Sequence, residues 1–164
     1  QLVAAMNPCP CGHLGDPSGR CRCTPDAVAR YAARISGPLL DRIDLHVVVP
    51  RPPQSSLRGG EPAGESSATV GVRVVGARNR ALARAGKPNG HLGPREVERD
   101  CVLVEADADL LERAVERLGL SARAFHRILR VARTIADLDA AAAIGTAHLA
   151  EAIALRRREP GLGG

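Results

Sequence analysis

Cys9, Cys11, Cys21 and Cys23 stand in a C-x-C-x9-C-x-C arrangement within one short segment. Thiolates are soft ligands, and four of them in a loop with little else to order it match a closed tetrahedral zinc site. Iron is the other metal that such a donor set takes. Free thiols or a redox pair are the remaining readings of the same residues. A disulfide within either C-x-C pair is strained, and a reducing compartment disfavours disulfides altogether. His13 lies inside the loop and can replace one ligand, although four cysteines already suffice. Arg20 and Arg22 flank the second pair and offset the negative charge of a tetrathiolate. A closed site leaves no open coordination position, so metal catalysis is not expected there. Cys101 stands alone in an apolar stretch and reads as a small buried hydrophobe.

Three further residues carry chemistry that their surroundings leave open. Asn7 precedes Pro8 and suits a turn, yet an amide can also donate to one group while accepting from another. Arg42 lies between Asp41 and Asp44, which reads as a surface ion pair. Arg123, near the start of a helix, reads as a solvated first-turn residue. Arg127, Arg130 and Arg133 recur at three-residue steps, the pattern of a solvated helix face or of a stripe facing DNA or a partner.

Composition bounds the classes. The 164 residues are 45% hydrophobic and 25% charged, which permits a packed core and argues against general disorder. Tyr31 and Phe125 are the only aromatic residues, so the core must be aliphatic and extended base-stacking platforms are nearly excluded. Lys87 is the only lysine, leaving 22 of the 23 cations as arginines, whose forked guanidinium favours phosphate and carboxylate. A net charge of +5 is too mild to establish nucleic-acid binding. No stretch approaches the roughly 18 apolar residues of a membrane span, and no signal peptide opens the chain, so a cytoplasmic setting without membrane contact is expected. Gln1 leads at once into the apolar run Leu2–Met6, which reads as a piece of a longer protein.

The elements follow from periodicity and punctuation. Residues 2–6 predict a short buried strand ended by Asn7-Pro8. Thr24-Pro25-Asp26 predicts a helix start, with Val28, Tyr31, Ala32 and Ile35 at helical spacing and Gly37-Pro38 as its stop. Ile43, Leu45, Val47 and Val49 alternate with polar residues and predict a strand ending at Pro50. Residues 51–65 are largely Pro, Gly and Ser and form the expected linker. Beyond it the pattern is helical: a helix capped at Ser66 or Ser67 with Val70, Val74, Ala77 and Ala81 inward, a short one after Pro94, one closed by Gly119, one capped by Ser121, and a last one capped by Thr146 before Arg156-Arg157-Arg158. The expected domains are 1–50, a linker over 51–65, and a helical domain over 66–164.

Three segments, Leu2–Gly12 (LVAAMNPCPCG), Ser36–Leu45 (SGPLLDRIDL) and Ser121–Leu138 with its RVARTIADL ending, together with Glu65–Val70 (ESSATV), resemble in order and spacing the C-terminal part of the magnesium-chelatase-like AAA+ ATPases of the ComM/YifB family. The resemblance implies an α/β AAA+ core fragment, holding the last core strands and the cysteine-rich loop, followed by a mainly α-helical C-terminal lid bundle. It implies that Asn7 is the sensor-1 residue, Arg42 the arginine finger reaching a neighbouring subunit's nucleotide, and Arg123 the sensor-2 arginine; Asn7 and Arg123 would contact the nucleotide. The implied activity is ATP-driven DNA remodelling of the branch-migration helicase type, in recombination and natural transformation. The implied cofactors are ATP with Mg²⁺, and the implied partners are the chain's own N-terminal ATPase half, a homo-oligomeric hexameric ring and DNA. Activity as a magnesium chelatase ATPase subunit is the second reading, and a non-catalytic zinc-knuckle interaction module the third. One departure from the family is plain. No G-x-x-x-x-G-K-[ST] occurs, Gly86-Lys87 being followed by Pro88, and no apolar strand ends in an acidic pair. The phosphate cradle is therefore expected upstream of Gln1, and these residues alone should not hydrolyse ATP.

Overall fold

The computed structural model describes residues 2–50, 52 and 64–156. The chain divides into two compact units, one over Gln1–Gln54 and the other over Ser55–Arg157, the division falling in the 51–65 stretch of the sequence. Most of the expected linker lies outside the described residues, as do Arg157 and Arg158.

The first unit is built from turns and two short helices. Helix α1 (Pro25–Ala32) begins where Thr24 accepts a hydrogen bond from the Ala27 N–H, with Pro25 in the first turn and Asp26 beside the positive end of the helix. It buries Val28 and Ala32. Gly37-Pro38 does more than stop α1: it opens helix α2 (Gly37–Arg42), whose Ser36 cap accepts from the Leu39 N–H. Proline lacks a donor that a first turn would leave idle, so the same dipeptide separates two helices and starts the second.

The two expected strands do not form. Residues 2–6 and 43–49 carry no regular structure, and no strand occurs among the described residues, so the α/β character expected of the first 50 residues is not shown. Alternation marks a segment that suits a sheet, but a strand exists only when a neighbour completes its ladder. Most apolar side chains of both segments are exposed, Val3 being 85% and Val49 83% exposed.

The second unit is a helical bundle of α3 (Ser67–Ala85), α4 (Pro94–Asp100), α5 (Glu105–Arg117), α6 (Ala122–Leu138) and α7 (Thr146–Ala154). Ser66 caps α3, and Gly86 ends it in the left-handed conformation (φ 67°) that only glycine adopts without cost. Ser121 caps α6 by accepting from the Ala124 N–H. Thr146 departs from expectation. Gly145 holds the cap position of α7, the His148 Nδ1 accepts from its N–H at 2.9 Å, and the Thr146 hydroxyl instead donates to the buried Asp107 carboxylate at 2.7 Å.

The core of this unit is aliphatic, as the composition requires. Leu92, Val97, Leu111, Ile128, Ala132, Ala136 and Leu149 are all essentially inaccessible and belong to one cluster. Cys101 is a member of that cluster. Ala77 and Ala81 put the last turns of α3 against α6, but Val70 and Val74 stay 37% and 50% exposed, so the inward face expected for α3 is realised only in its second half.

Candidate functional site

The four cysteines come together. Their sulfurs lie within 4.8 Å of one another, with Cys9–Cys11 at 3.4 Å, Cys11–Cys21 at 3.7 Å and Cys9–Cys21 at 3.9 Å. Four sulfurs bound at about 2.3 Å to one tetrahedral centre stand about 3.8 Å apart. The spacing therefore fits a zinc-sized ion, and nothing in it calls for a disulfide.

Local turns place these thiols. The Gly12 N–H donates to the Cys9 carbonyl at 3.0 Å, which closes the first C-x-C into a tight turn. Gly12 has φ 76°, and a side chain there would be both strained and set against the Asn7 amide, 3.6 Å away. Asp16 and Ser18 shape the middle of the loop. The Ser18 N–H donates to Asp16 at 2.8 Å and Arg20 adds an ion pair at 3.3 Å. The Ser18 hydroxyl and N–H, with Arg20, hold the Asp16 carboxyl well below the usual carboxylate range.

The thiols do not titrate alike. The His13 backbone N–H, then the Cys9 and Cys23 side chains, draw the Cys11 thiol down to about 6. Burial raises the Cys9 thiol, but the backbone N–H groups of Leu14, His13 and Cys11 outweigh it and hold Cys9 below its ordinary value too, whereas Cys21 and Cys23 are held above theirs beside Cys11 and Cys9, so ionising all four calls for a cation. A divalent soft ion bound by the four sulfurs would supply that neutralisation. His13 stays outside the sulfur cluster, with Nδ1 3.8 Å from Asp16. Cys101 is buried in the other unit, and burial pushes its thiol up to about 11, the behaviour of a packing residue.

The three residues expected at the nucleotide are placed as follows. Asn7 is exposed beside the Gly12 turn, one residue before the cysteine loop proper. Arg42 is exposed on the last turn of α2. Arg123 is exposed in the first turn of α6, in the second unit.

The arginine stripe on α6 is not one solvated face. Arg133 is only 2% exposed and donates to the carbonyls of Ala141 and Ala142 at 2.7 and 3.0 Å, tying the α6–α7 connection down. Arg127 and Arg130 are half-buried. The reason is the partner one turn on: Asp137, at i+4 from Arg133, is 1% exposed and accepts an ion pair from it at 3.2 Å.

Asp137 is the centre of a network that the sequence reading missed. Arg84 of α3 reaches both its oxygens, at 2.9 and 2.6 Å, and the buried Asn89 amide donates to it at 2.8 Å. Arg80 donates to the Asp137 carbonyl at 3.0 Å. Burial pushes the Asp137 carboxyl up, but Arg84, Asn89 and Arg133 outweigh it and hold the group below its ordinary value. The i,i+4 pair was visible in the sequence; Arg84 and Asn89 lie about fifty positions away and had no local signal.

Residues 64–156 match the family described as magnesium chelatase, subunit ChlI, C-terminal, and residues 1–57 match magnesium chelatase, subunit ChlI. The chain belongs to the magnesium-chelatase-like ComM/YifB family. Its similarity to the competence protein ComM of Haemophilus influenzae is 50% identity over 95% of the chain and 30% of ComM. YifB of Salmonella typhimurium and YifB of Escherichia coli are each 48% identical over the same shares. The chain thus spans under a third of these relatives' length. The bundle of α3–α7 is the family's C-terminal helical region, and the cysteine cluster lies in the segment matching the ChlI family. Among the described residues no helix is long and apolar enough to cross a membrane.

Proposed function

We propose that this chain is the C-terminal part of a ring-forming AAA+ motor that uses ATP and Mg²⁺ to remodel DNA by branch migration. The observation that carries the reading is the 50% identity to a competence protein over 95% of the chain. The phosphate-binding loop and the acidic strand come from the rest of the motor. Asn7 serves as sensor 1, its amide able to hold an attacking water and a phosphate oxygen together. Arg42, exposed at a helix end, reaches the neighbouring subunit's nucleotide, where a guanidinium stabilises charge on the transferring phosphoryl group. Arg123, on the first turn of a rigid helix, couples the helical domain to the nucleotide. Zinc held by Cys9, Cys11, Cys21 and Cys23 braces the loop that follows Asn7.

The full-length protein, given ATP and a labelled mobile four-way DNA junction, should resolve it into duplexes. The Asn7→Ala variant should bind ATP and lose that activity. A full-length protein that hydrolyses ATP but leaves every branched substrate unchanged would refute the DNA assignment.

A further inference from the structure

Helix α1 and the first C-x-C turn form a groove of about 730 Å³ in the first unit, lined by Pro10, Arg30, Tyr31 and Arg34 among others. That volume is of the size that takes a nucleotide-sized group. Its side-chain chemistry is specific. Tyr31 is the only Phe, Tyr or Trp side chain of this unit and is half-exposed. The Arg34 guanidinium lies 5.8 Å from the centre of that ring. Arg30 and Arg34 make no ion pair among the described residues, and no acidic side chain lines the groove. Two uncompensated guanidinium groups beside an aromatic face attract a phosphate and a flat π-system at once.

We propose that this groove is a contact site for one nucleotide of single-stranded DNA, the base stacking on Tyr31 and Arg34 and the adjoining phosphates pairing with Arg30 and Arg34. The inference rests on the DNA-remodelling reading and gives that activity a place on the surface. One ring cannot build a multi-base platform, in keeping with a chain that holds two aromatics in all, but it suffices for one unpaired base of a strand. The location also gives the cysteine cluster a purpose. Pro10 stands between the ligands Cys9 and Cys11, so an ion that fixes those thiols fixes one wall of the groove.

The test is binding of a fluorescent oligo-dT to the zinc-loaded full-length protein, read by anisotropy at several salt concentrations. Tyr31→Ala should weaken binding about 5- to 150-fold, the effect of one stacked base. Tyr31→Phe should keep the ring and the affinity, which a merely structural loss would not predict. Arg30→Gln combined with Arg34→Gln should lower the slope of log affinity against log salt by about 1.4, two phosphate contacts' worth. Zinc content and circular dichroism establish that each variant is folded. Unchanged affinity and slope in folded Tyr31→Ala and double-Gln proteins overturn the groove while leaving the DNA reading intact. A wild-type protein that resolves the four-way junction but binds no single strand likewise overturns the groove alone, whereas one that leaves the junction unchanged and binds no DNA overturns both. Displacement of the oligonucleotide from the groove by free ATP at equal nucleotide concentration overturns the assignment to a strand.

Discussion

The two units of this chain reach order by opposite routes. In the second, five helices bury an aliphatic cluster and seat one carboxylate, Asp137, among Arg84, Asn89 and Arg133. In the first, the buried apolar residues among those described are Cys9, Val28, Ala32 and Leu40. What remains there is tight turns, two side-chain caps and four sulfurs at metal-binding distance. The difference is one of cysteine environment: the four thiols of the first unit are gathered where a metal could bind them, while the one cysteine of the second is buried as packing.

Metal removal should separate the units most sharply. Structural zinc contributes about 10–16 kcal/mol of folding free energy in small domains. A chelator, or Cys9→Ser, should strip hydrogen-exchange protection from residues 9–42 and leave α3–α7 protected. Equal loss in both units would erase the contrast.

Asp137→Ala should do the reverse. Removing one member of a buried ion pair costs about 3–5 kcal/mol, so the bundle should melt while zinc stoichiometry holds at one. The same carboxylate sets an acid limit. Its folded pKa lies below the unfolded value of about 3.9, so its stabilisation is complete above about pH 4 and is lost as pH falls through the folded value. Far-ultraviolet circular dichroism should show helicity falling below pH 4, and Asp137→Asn should flatten that dependence.

The smallest effect sharpens the bundle's own logic. Ser66 caps α3 through the Thr69 N–H, and Ser66→Ala should cost about 1 kcal/mol by chemical denaturation, with no change at the cysteine cluster.

The sequence disclosed most where a signal is local. Caps at Thr24, Ser66 and Ser121, the glycine after α3 and the apolar spacing of α6 are each written within a few residues. So is the cysteine cluster, because two C-x-C pairs in one loop have few ways to stay apart. Three kinds of information were out of reach. The apolar run of residues 2–6 and the alternation of residues 43–49 suit strands but have no partner among the described residues, and pairing is a property of two segments. Arg133 reads as surface by residue type, and only the fold shows that two carbonyls and Asp137 can satisfy it indoors. Val70 and Val74 share a face with Ala77 and Ala81, yet periodicity cannot say where along a helix its neighbour ends.

The functional account turns on Arg42 acting across a subunit boundary. The most direct measurement is steady-state ATP hydrolysis by full-length Arg42→Ala, alone and mixed with a full-length variant whose phosphate-binding lysine is replaced. The account predicts a loss of about 10³- to 10⁵-fold for Arg42→Ala alone, the value of an arginine finger. It predicts partial recovery in the mixture, at those boundaries where an intact phosphate site meets an intact Arg42 from its neighbour. Wild-type turnover by Arg42→Ala alone, or no recovery in mixed rings, would contradict it.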